Sequence, residues 1–275
     1  MSEPALTTAS HGVPCWIDLA APDPAGSTAF YRELFGWQYT EHRDQVIAVC
    51  DGTPVAQISA VPDDDPATTS YWHLYFSSEK FEDVAQRPGT AGGELLSGPF
   101  DVDDLARAVT VQDPGGATFS LWEPRVFEGF AADIPGAPVW FELDTADPVA
   151  IADFYRDLLD LTPIAAQTDA GAYRMFVSTN GDPVAGVRPS STRSGWMSYF
   201  RTDSLDSTVD AASRQGATVT QPPSSFAPIG RVARVRDPWG AELGLLELAS
   251  DTTDVDESAT AEPDDNAGFP TTLTL

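Results

Sequence analysis

The sequence predicts an α+β fold in which two tandem domains are each built from two βαβββ modules. Three observations carry this prediction: the chain repeats itself, short runs alternate between apolar and polar residues, and a helical segment follows the first strand-like run of each copy. With 275 residues, of which 42% are hydrophobic, the chain is long enough to bury the cores of two such domains.

The internal repeat has an offset of 124 residues. It superimposes Pro14–Pro24 on Pro138–Pro148, Phe30–Phe35 on Phe154–Leu159, Trp72 on Trp196, Asp113–Gly116 on Asp237–Gly240, and Glu123 on Glu247. A further segment, Gly52–Ala56, matches Gly181–Ala185 at an offset of 129. So many matches in one register indicate a duplication, and we predict domains at residues 12–125 and 136–249.

The segment Ser250–Leu275 lies outside both copies. It holds seven acidic residues and no basic ones, and most of the rest is Thr, Ala, Ser and Pro. Such a composition does not bury enough apolar surface to offset the entropy of ordering the chain. We therefore predict an acidic, disordered tail at 250–275.

In the first module, Cys15–Ala20 alternates with the period of two that is typical of a strand. Asp23 is a good N-cap residue and Pro24 suits the first helical position, so a helix should begin here. Gly36 should end it, because glycine favours the left-handed conformation that follows many helices. Strand-like runs follow at Gln38–Glu41, Val46–Cys50 and Val55–Ser59.

The remaining elements are predicted from the same patterns. The second module should hold a strand at Tyr71–Phe76, a helix at Phe81–Arg87, and strands near Glu94–Ser97, Ala108–Gln112 and Thr118–Glu123. The second copy should repeat this order, with strands at 139–144 and 196–201 and helices at 148–160 and 204–215.

Composition excludes several classes of partner. The chain has 42 acidic and 15 basic residues, a formal net charge of -27, which repels nucleic acid and anionic membranes. No run approaches the roughly 20 apolar residues of a membrane span. The N-terminus lacks the basic and apolar regions of a signal peptide, and the two cysteines, Cys15 and Cys50, form no CxxC pair. We expect a cytoplasmic protein that binds neither nucleic acid nor membrane.

The helix entry Asp23-Pro24, the following segment Phe30-Tyr-Arg-Glu-Leu-Phe-Gly-Trp37 and the late turn Asp113-Pro-Gly-Gly116 resemble the vicinal oxygen chelate superfamily. This superfamily includes glyoxalase I, extradiol dioxygenases and fosfomycin- and bleomycin-resistance proteins. The resemblance covers nearly all of residues 12–249, and the double-length form is similar to two-domain glyoxalase-like proteins of actinobacteria, some of which act in antibiotic pathways. It implies an eight-stranded sheet around a cleft in each domain, with a divalent metal held by His, Glu or Gln on the first, fifth and eighth strands.

Aligned on that family pattern, the ligand positions of this chain carry no good metal ligand. They are Trp16 and Trp140 on the first strands, Trp72 and Trp196 on the fifth, and Ser120 and Gly244 on the eighth. His11 precedes the fold, His42 is expected at a turn, and His73 is one residue out of register, so that its side chain should point to the helix-packed side. We therefore predict no metal and no cofactor; an alternative is a non-standard site in which Asp18 or Glu142 joins another carboxylate.

The same positions predict an aromatic cleft. Trp16, Trp72, Trp140 and Trp196 stand at repeat-equivalent sites, and Trp122, Ser120 and Gln57 are expected beside them. Asp18 and Glu142 should share the cleft side with Trp16 and Trp140 by strand alternation. Such a pocket suits a hydrophobic or aromatic small molecule. The alternative is that the tryptophans only fill space and that the two carboxylates are structural.

The leading hypothesis is a metal-free protein that binds an apolar or aromatic small molecule in antibiotic or secondary-metabolite biosynthesis or resistance. One rival is an enzyme: a cofactor-free acid–base catalyst using Asp18 or Glu142, or a lyase, oxygenase or hydroxylase accessory with non-standard metal ligands. A protein-interaction module is a third possibility. The copies differ at Asp18/Glu142, Gln57/Gly186, Ser120/Gly244 and Trp122/Leu246, which allows one cleft to be functional and the other structural. A monomer or weak homodimer is expected.

Overall fold

The computed structural model describes residues 10–42, 45–61, 69–79, 81–87, 89, 91–126, 129–130, 134–166 and 173–249. The predicted acidic tail, 250–275, lies outside the described residues. Within the described part of the chain, no helix is both long and apolar enough to cross a membrane.

The first domain contains eight strands and two helices. In chain order they are β1 (Pro14–Ala21), α1 (Pro24–Phe35), β2 (Gln38–His42), β3 (Gln45–Cys50), β4 (Thr53–Ala60), β5 (Tyr71–Ser77), α2 (Phe81–Val84), β6 (Glu94–Val102), β7 (Ala106–Gln112) and β8 (Thr118–Pro124).

The second domain repeats this order. Its elements are β9 (Pro138–Thr145), α3 (Ala152–Leu159), β10 (Thr162–Ala165), β11 (Arg174–Val177), β12 (Pro183–Pro189), β13 (Gly195–Arg201), α4 (Leu205–Arg214), β14 (Thr218–Phe226), β15 (Gly230–Arg236) and β16 (Glu242–Leu248).

Each domain is one mixed eight-stranded sheet. The strand order is β2-β3-β4-β1-β5-β8-β7-β6 in the first domain and β10-β11-β12-β9-β13-β16-β15-β14 in the second. β1 runs parallel to β4 and antiparallel to β5, so the two modules of the first domain meet at the centre of the sheet. The predicted α+β fold of tandem βαβββ modules is confirmed.

The helix signals of the first module act as the sequence predicts. Asp23 Oδ1 accepts a hydrogen bond from the Gly26 backbone N–H at 2.9 Å, and Pro24 occupies the first turn. Gly36 ends the helix with φ 72°, a conformation that costs glycine little.

Three elements, α3, α2 and β6, differ from their predicted bounds. The helix predicted from residue 148 begins at Ala152, because Asp147 Oδ1 instead accepts hydrogen bonds from the backbone of Val149 and Ala150 in a turn. The helix predicted at Phe81–Arg87 ends at Val84. The strand predicted at Glu94–Ser97 continues to Val102, and its pairing with β7 shifts register on both sides of Ser97.

Two equivalent hydrogen-bond chains join the domains. The Tyr31 hydroxyl donates to Asp237 Oδ2 at 3.0 Å and accepts from the Trp72 indole N–H at 3.2 Å. Its counterpart is equally placed: Tyr155 donates to Asp113 Oδ2 at 2.8 Å, and the Trp196 indole donates to Tyr155 at 3.1 Å. We call these two chains the interdomain clasps; each ends on the aspartate of the repeated Asp-Pro turn.

Aromatic packing fills the space between the clasps. Phe35 stacks on Phe200 with ring centroids 5.0 Å apart, and Phe76 contacts Trp196 edge-to-face at 5.0 Å. Most buried apolar residues of the two sheets therefore form one continuous core, which holds the first-domain cleft against the loop that precedes β13. A second, smaller cluster around Trp140 and Tyr199 fills the interior of the second domain.

Candidate ligand-binding cleft

A cavity of about 570 Å³ opens on the face of the first sheet that is turned away from α1. Most of its wall comes from β1, β4, β5, β7 and β8, and the rest comes from the start of β13 and the loop before it. The lining residues are Asp18, Ala20, Ser59, Tyr71, Trp72, His73, Tyr75, Thr110, Gly116, Thr118, Arg193, Ser194, Gly195 and Trp196. The volume lies in the range of roughly 300–1,000 Å³ that is typical of small-molecule sites.

Asp18 is the acidic residue of this cavity. Its Oδ2 accepts hydrogen bonds from the Tyr75 hydroxyl at 3.2 Å and from the Gln57 amide at 3.4 Å. Its Oδ1 is buried and has no hydrogen-bond partner within the described residues. Burial raises the pKa of Asp18 to about 7, and the Tyr75 hydrogen bond opposes this rise only in part. Asp18 thus borders the cavity, whereas Gln57 and Ser120, which were also expected to bind the ligand, are 7% and 1% exposed and do not border it.

His73 lies beside Asp18, and the prediction for this residue was wrong. It was expected on the helix-packed side, but it pairs with Asp18 across β1 and β5 and borders the cavity. Its Nε2 is 2.8 Å from Ser120 Oγ, which is 3.1 Å from Thr110 Oγ1. Burial lowers the pKa of His73 to about 4, so the imidazole is neutral at pH 7.

The predicted orientations of Trp72 and Trp196 were wrong for the same reason as that of His73. Both tryptophans were expected to point into the clefts. Trp72 pairs with Leu19, a residue of the helix-packed face, and a slip of one residue in a strand exchanges its two faces. Both tryptophans border the cavity, but their indole N–H groups belong to the interdomain clasps. They form the boundary between the cleft and the second domain.

Trp16 and Trp122 lie on the cleft side of their strands but are 4% and 2% exposed, and neither borders the cavity. Trp122 packs edge-to-face against Tyr75, with ring centroids 5.4 Å apart. For these two residues the space-filling alternative describes the structure better than the ligand-binding prediction. The packing beneath Tyr75 fixes that side chain beside Asp18.

The equivalent positions of the second domain are closed by a buried ion-pair network. Glu142, the counterpart of Asp18, is 4% exposed. It accepts hydrogen bonds from Tyr173 at 2.8 Å, from Tyr199 at 2.6 Å and from Arg234 at 2.5 Å. Arg234 also donates to Asp144 at 2.8 Å. Neighbouring cations therefore stabilise both carboxylates, and they hold the pKa of Asp144 below its ordinary value despite burial.

Three substitutions between the copies explain this closure. Arg234 stands where the first domain has Thr110, and Met197 stands where it has His73. Gly186 replaces Gln57 and admits Tyr173, because a Cβ at position 186 would lie 1.7 Å from the tyrosine oxygen. Trp140 donates its indole N–H to that same hydroxyl at 3.0 Å. Trp140 and Glu142 are therefore parts of a filled interior.

Arg234 and Tyr173 were not predicted from the sequence as cleft residues. An arginine in the middle of the strand-like run 230–236 is a signal, because a buried arginine requires an acidic partner. Tyr173 lies in a stretch of the sequence for which the repeat gives no match, so nothing in the pattern predicted it in the second cleft.

The donor sets of the two clefts do not fit the divalent metal that the family resemblance implies. The first cleft offers one carboxylate and one imidazole, and His73 Nε2 is already engaged by Ser120. The second presents Arg234, Met197 and Gly244 at the corresponding places. Within the residues that the structure describes, no three His, Cys, Asp or Glu side chains gather as a metal site. Catalytic metals usually take about three protein ligands.

The fold and its clefts define a two-domain protein with an open cleft in the first domain and a closed one in the second. The model of the glyoxalase/bleomycin resistance protein/dioxygenase superfamily matches residues 15–121, and a glyoxalase-like domain model matches residues 140–246. The chain belongs to this superfamily, as the sequence resemblance implied.

Curated relatives match over nearly their whole length. The chain is 34% identical to the anthracycline biosynthesis protein DnrV of Streptomyces peucetius, over 88% of this chain and 96% of that protein. It is 28% identical to the putative glyoxylase CFP32 of Mycobacterium bovis, over 87% and 96%.

Solved structures share the fold at low sequence identity. The 2,3-dioxygenase LapB from Pseudomonas sp. KL28 matches with a TM-score of 0.62 at 12% identity, over 88% of this chain and 93% of that one. The Mn(II)-bound glyoxalase from Novosphingobium aromaticivorans matches with a TM-score of 0.60 at 13% identity, over 96% and 97%. At such identities the likeness concerns the fold alone.

Proposed function

We propose that the protein binds an aromatic small molecule with polar substituents in the first-domain cleft, without a metal, as a step in antibiotic or other secondary-metabolite biosynthesis. One observation carries this proposal: a cavity of about 570 Å³ whose wall combines aromatic rings with the carboxyl group of Asp18. A carboxylate in such a wall can accept a hydrogen bond from a donor group on a ligand.

The cavity wall supports an aromatic ligand. Tyr71, Trp72, Tyr75 and Trp196 contribute ring surface, and planar ligands gain from offset or edge contacts with such rings. The wall also carries hydroxyl, imidazole and carboxyl groups, so the ligand should be polar at its edges rather than wholly apolar.

The biological setting is supported by the relatives. DnrV, at 34% identity over most of both chains, is named for anthracycline biosynthesis. A place in antibiotic biosynthesis is consistent with a cleft that lacks the metal ligands of the enzymes sharing this fold. The cytoplasm suits the thiols of Cys15 and Cys50, both of which are free. A monomer suits a chain whose two domains already cover each other's interface.

A binding experiment tests the proposal. We would titrate a panel of hydroxylated naphthalenes and anthraquinones, alizarin included, and follow the quenching of tryptophan fluorescence. The key variant is Thr110→Arg, which places in the first cleft the residue that closes the second. It should fold, because Asp18 is placed to pair with the new arginine as Glu142 pairs with Arg234, and it should weaken binding about tenfold or more.

Thr218→Arg is the matched control, because Thr218 is exposed on β14, outside both clefts. It should bind like the wild type. Absence of binding across the whole panel, or equal affinity of Thr110→Arg and the wild type, would contradict the proposed cleft.

A further inference from the structure

The cavity of the first domain lies where the second domain holds a cluster of charged side chains. In that cluster, Asp144 forms ion pairs with Arg188 and with Arg234, each at 2.8 Å. The repeat and the strand pairing put three small residues at these positions of the first domain: Ala20, Ser59 and Thr110. All three border the cavity, so the cavity takes the space that larger, charged side chains fill in the second domain.

These substitutions leave the first domain with one positive charge too few. The second-domain cluster is balanced, because Glu142 and Asp144 carry two negative charges while Arg188 and Arg234 carry two positive ones. In the first domain the acid at the position of Glu142 is kept as Asp18, but the other three charges are lost. A half-buried carboxylate without a nearby cation is costly, so a cation that enters the cavity would be stabilised there.

The described side chains around Asp18 do not supply that cation. The neighbours on β4 and β7 are an amide and a hydroxyl, from Gln57 and Thr110. At the cavity mouth, Arg193 forms an ion pair with Glu242 and lies 3.6 Å from a second carboxylate, that of the charged cluster. The titratable neighbours on β5 are Tyr71, His73 and Tyr75. The imidazole is neutral at pH 7, because burial lowers its pKa to about 4.

The closed domain shows how this arrangement holds a cation. The Arg234 guanidinium donates to Glu142 Oε2 at 2.5 Å and lies over the Tyr199 ring, 5.5 Å from its centroid. Tyr75 is the first-domain counterpart of Tyr199 and also donates to the acid, at Asp18 Oδ2.

Of the two carboxylate oxygens of Asp18, Oδ2 is the one left for a ligand, because Oδ1 is covered by protein. Oδ2 accepts only two long hydrogen bonds, of 3.2 Å from Tyr75 and 3.4 Å from Gln57. Both lengths lie at or beyond the upper end of the ordinary range, so a charged donor would bind this oxygen more strongly than either of them does.

We propose that the ligand of the first-domain cleft carries an ammonium group, which binds Asp18 Oδ2 and the ring of Tyr75 as Arg234 binds the equivalent groups of the second domain. This inference rests on the proposed function, because it names the polar group of the aromatic molecule expected in the same cavity. The ligand class is an aromatic body with an aliphatic amine. Tyr71 and Trp72, also in the cavity wall, add ring faces that attract a cation.

A pair of probes that differ in one group tests the proposal: 2-naphthylmethylamine, which is a cation at neutral pH, and 2-naphthylmethanol, which is neutral. Their dissociation constants for the intact chain are measured by calorimetry at pH 8. About 0.5 M sodium chloride is included, so that the net charge of -27 on the chain is screened and does not by itself favour the amine. We expect the amine to bind about tenfold or more tightly than the alcohol.

The pH dependence of this preference is a second readout. Burial raises the pKa of Asp18 to about 7, so its carboxyl group is mostly neutral at pH 5 and mostly charged at pH 8. The amine is protonated at both pH values, and His73 is neutral at both. The preference for the amine should therefore be small at pH 5 and grow towards pH 8.

Asp18→Asn should bind the alcohol within a few-fold of the wild type and lose the preference for the amine at both pH values. Asp153→Asn is the matched control, because it removes one negative charge from an exposed position on α3 and should keep the preference. Equal binding of the two probes by the wild type, or a preference that survives Asp18→Asn, would overturn the ammonium inference and leave the binding function standing. Failure of the wild type to bind either probe or any aromatic ligand of the panel would count against both proposals.

Discussion

At the scale of single residues, Asp18 and Glu142 occupy equivalent positions of the repeat but have different hydrogen-bond and ion-pair partners. Both are acids on the first strand of their domain, and each accepts a tyrosine hydroxyl. Glu142 also has Arg234 at 2.5 Å, whereas Asp18 borders a cavity and its buried Oδ1 has no hydrogen-bond partner among the described residues. The same chemical substitution at these two positions should therefore change stability in opposite directions.

Asp18→Asn should stabilise the protein at pH 8 by about 1–3 kcal/mol, because it removes a buried charge that is incompletely hydrogen-bonded. The pKa of Asp18 is raised from 3.8 to about 7, so the folded wild type binds the proton more tightly than the unfolded chain does. Wild-type stability should fall as pH rises from about 4 to 7, and the full penalty should be present above that range. Urea unfolding at pH 4 and pH 8 checks this: the gain should be largest at pH 8, and an equal gain at both pH values would contradict the assignment.

Glu142→Gln should destabilise the protein by about 3 kcal/mol at pH 7. It breaks a buried ion pair and leaves Asp144 as the remaining carboxylate partner of the Arg234 charge. The same unfolding experiment measures the change. A neutral result would mean that the closed cleft does not depend on this ion pair.

At the scale of elements, the interdomain clasps give the repeated helix and the repeated Asp-Pro turn a shared role. Asp113 Oδ1 accepts from the backbone of Gly115 and Ala117, which shapes the turn, and its Oδ2 accepts from Tyr155 of the other domain. In the same way, Asp237 Oδ1 accepts a hydrogen bond from the backbone of Ala241, and its Oδ2 accepts one from Tyr31. One carboxylate thus fixes a turn and a domain contact, which accounts for the recurrence of Tyr and Asp at the same offset.

Tyr31→Phe and Tyr155→Phe should each lower the free energy of unfolding by about 1–3 kcal/mol, because each leaves a buried carboxylate oxygen and an indole N–H without their partner. The double variant should lose about the sum, since the clasps share no residue. Tyr39→Phe is the matched control: the Tyr39 hydroxyl is buried without a hydrogen-bond partner in the described structure, so its removal should cost little. If all the variants were equally stable, the interdomain clasps would not contribute to the stability of the fold.

Local and long-range features of the fold differed in how far the sequence could predict them. Strand alternation placed Asp18 on the cleft face because that depends only on the neighbours of Asp18 along β1. The faces of Trp72 and His73 depend on how β5 pairs with β1, and a one-residue change of register reverses them. The clasp between Tyr31 and Asp237 joins residues 206 positions apart, and no local pattern contains that contact.

At the scale of the whole molecule, the two copies of the repeat share one main core, but the first has an open cleft and the second a closed interior with its own apolar cluster. The open cavity is completed by Arg193–Trp196 of the second domain, so the second domain still shapes the cavity of the first. We expect the chain to bind one ligand, at the first-domain cleft, and to need no divalent ion for it.

Native mass spectrometry tests this central claim most directly. The protein would be purified without chelator or a metal-binding tag and sprayed with increasing alizarin, with and without prior treatment with EDTA. We predict one alizarin molecule per chain, no stoichiometric metal, and the same occupancy by alizarin after EDTA treatment. Two alizarin molecules per chain, or binding that is lost with EDTA and restored by one equivalent of a divalent metal, would contradict it.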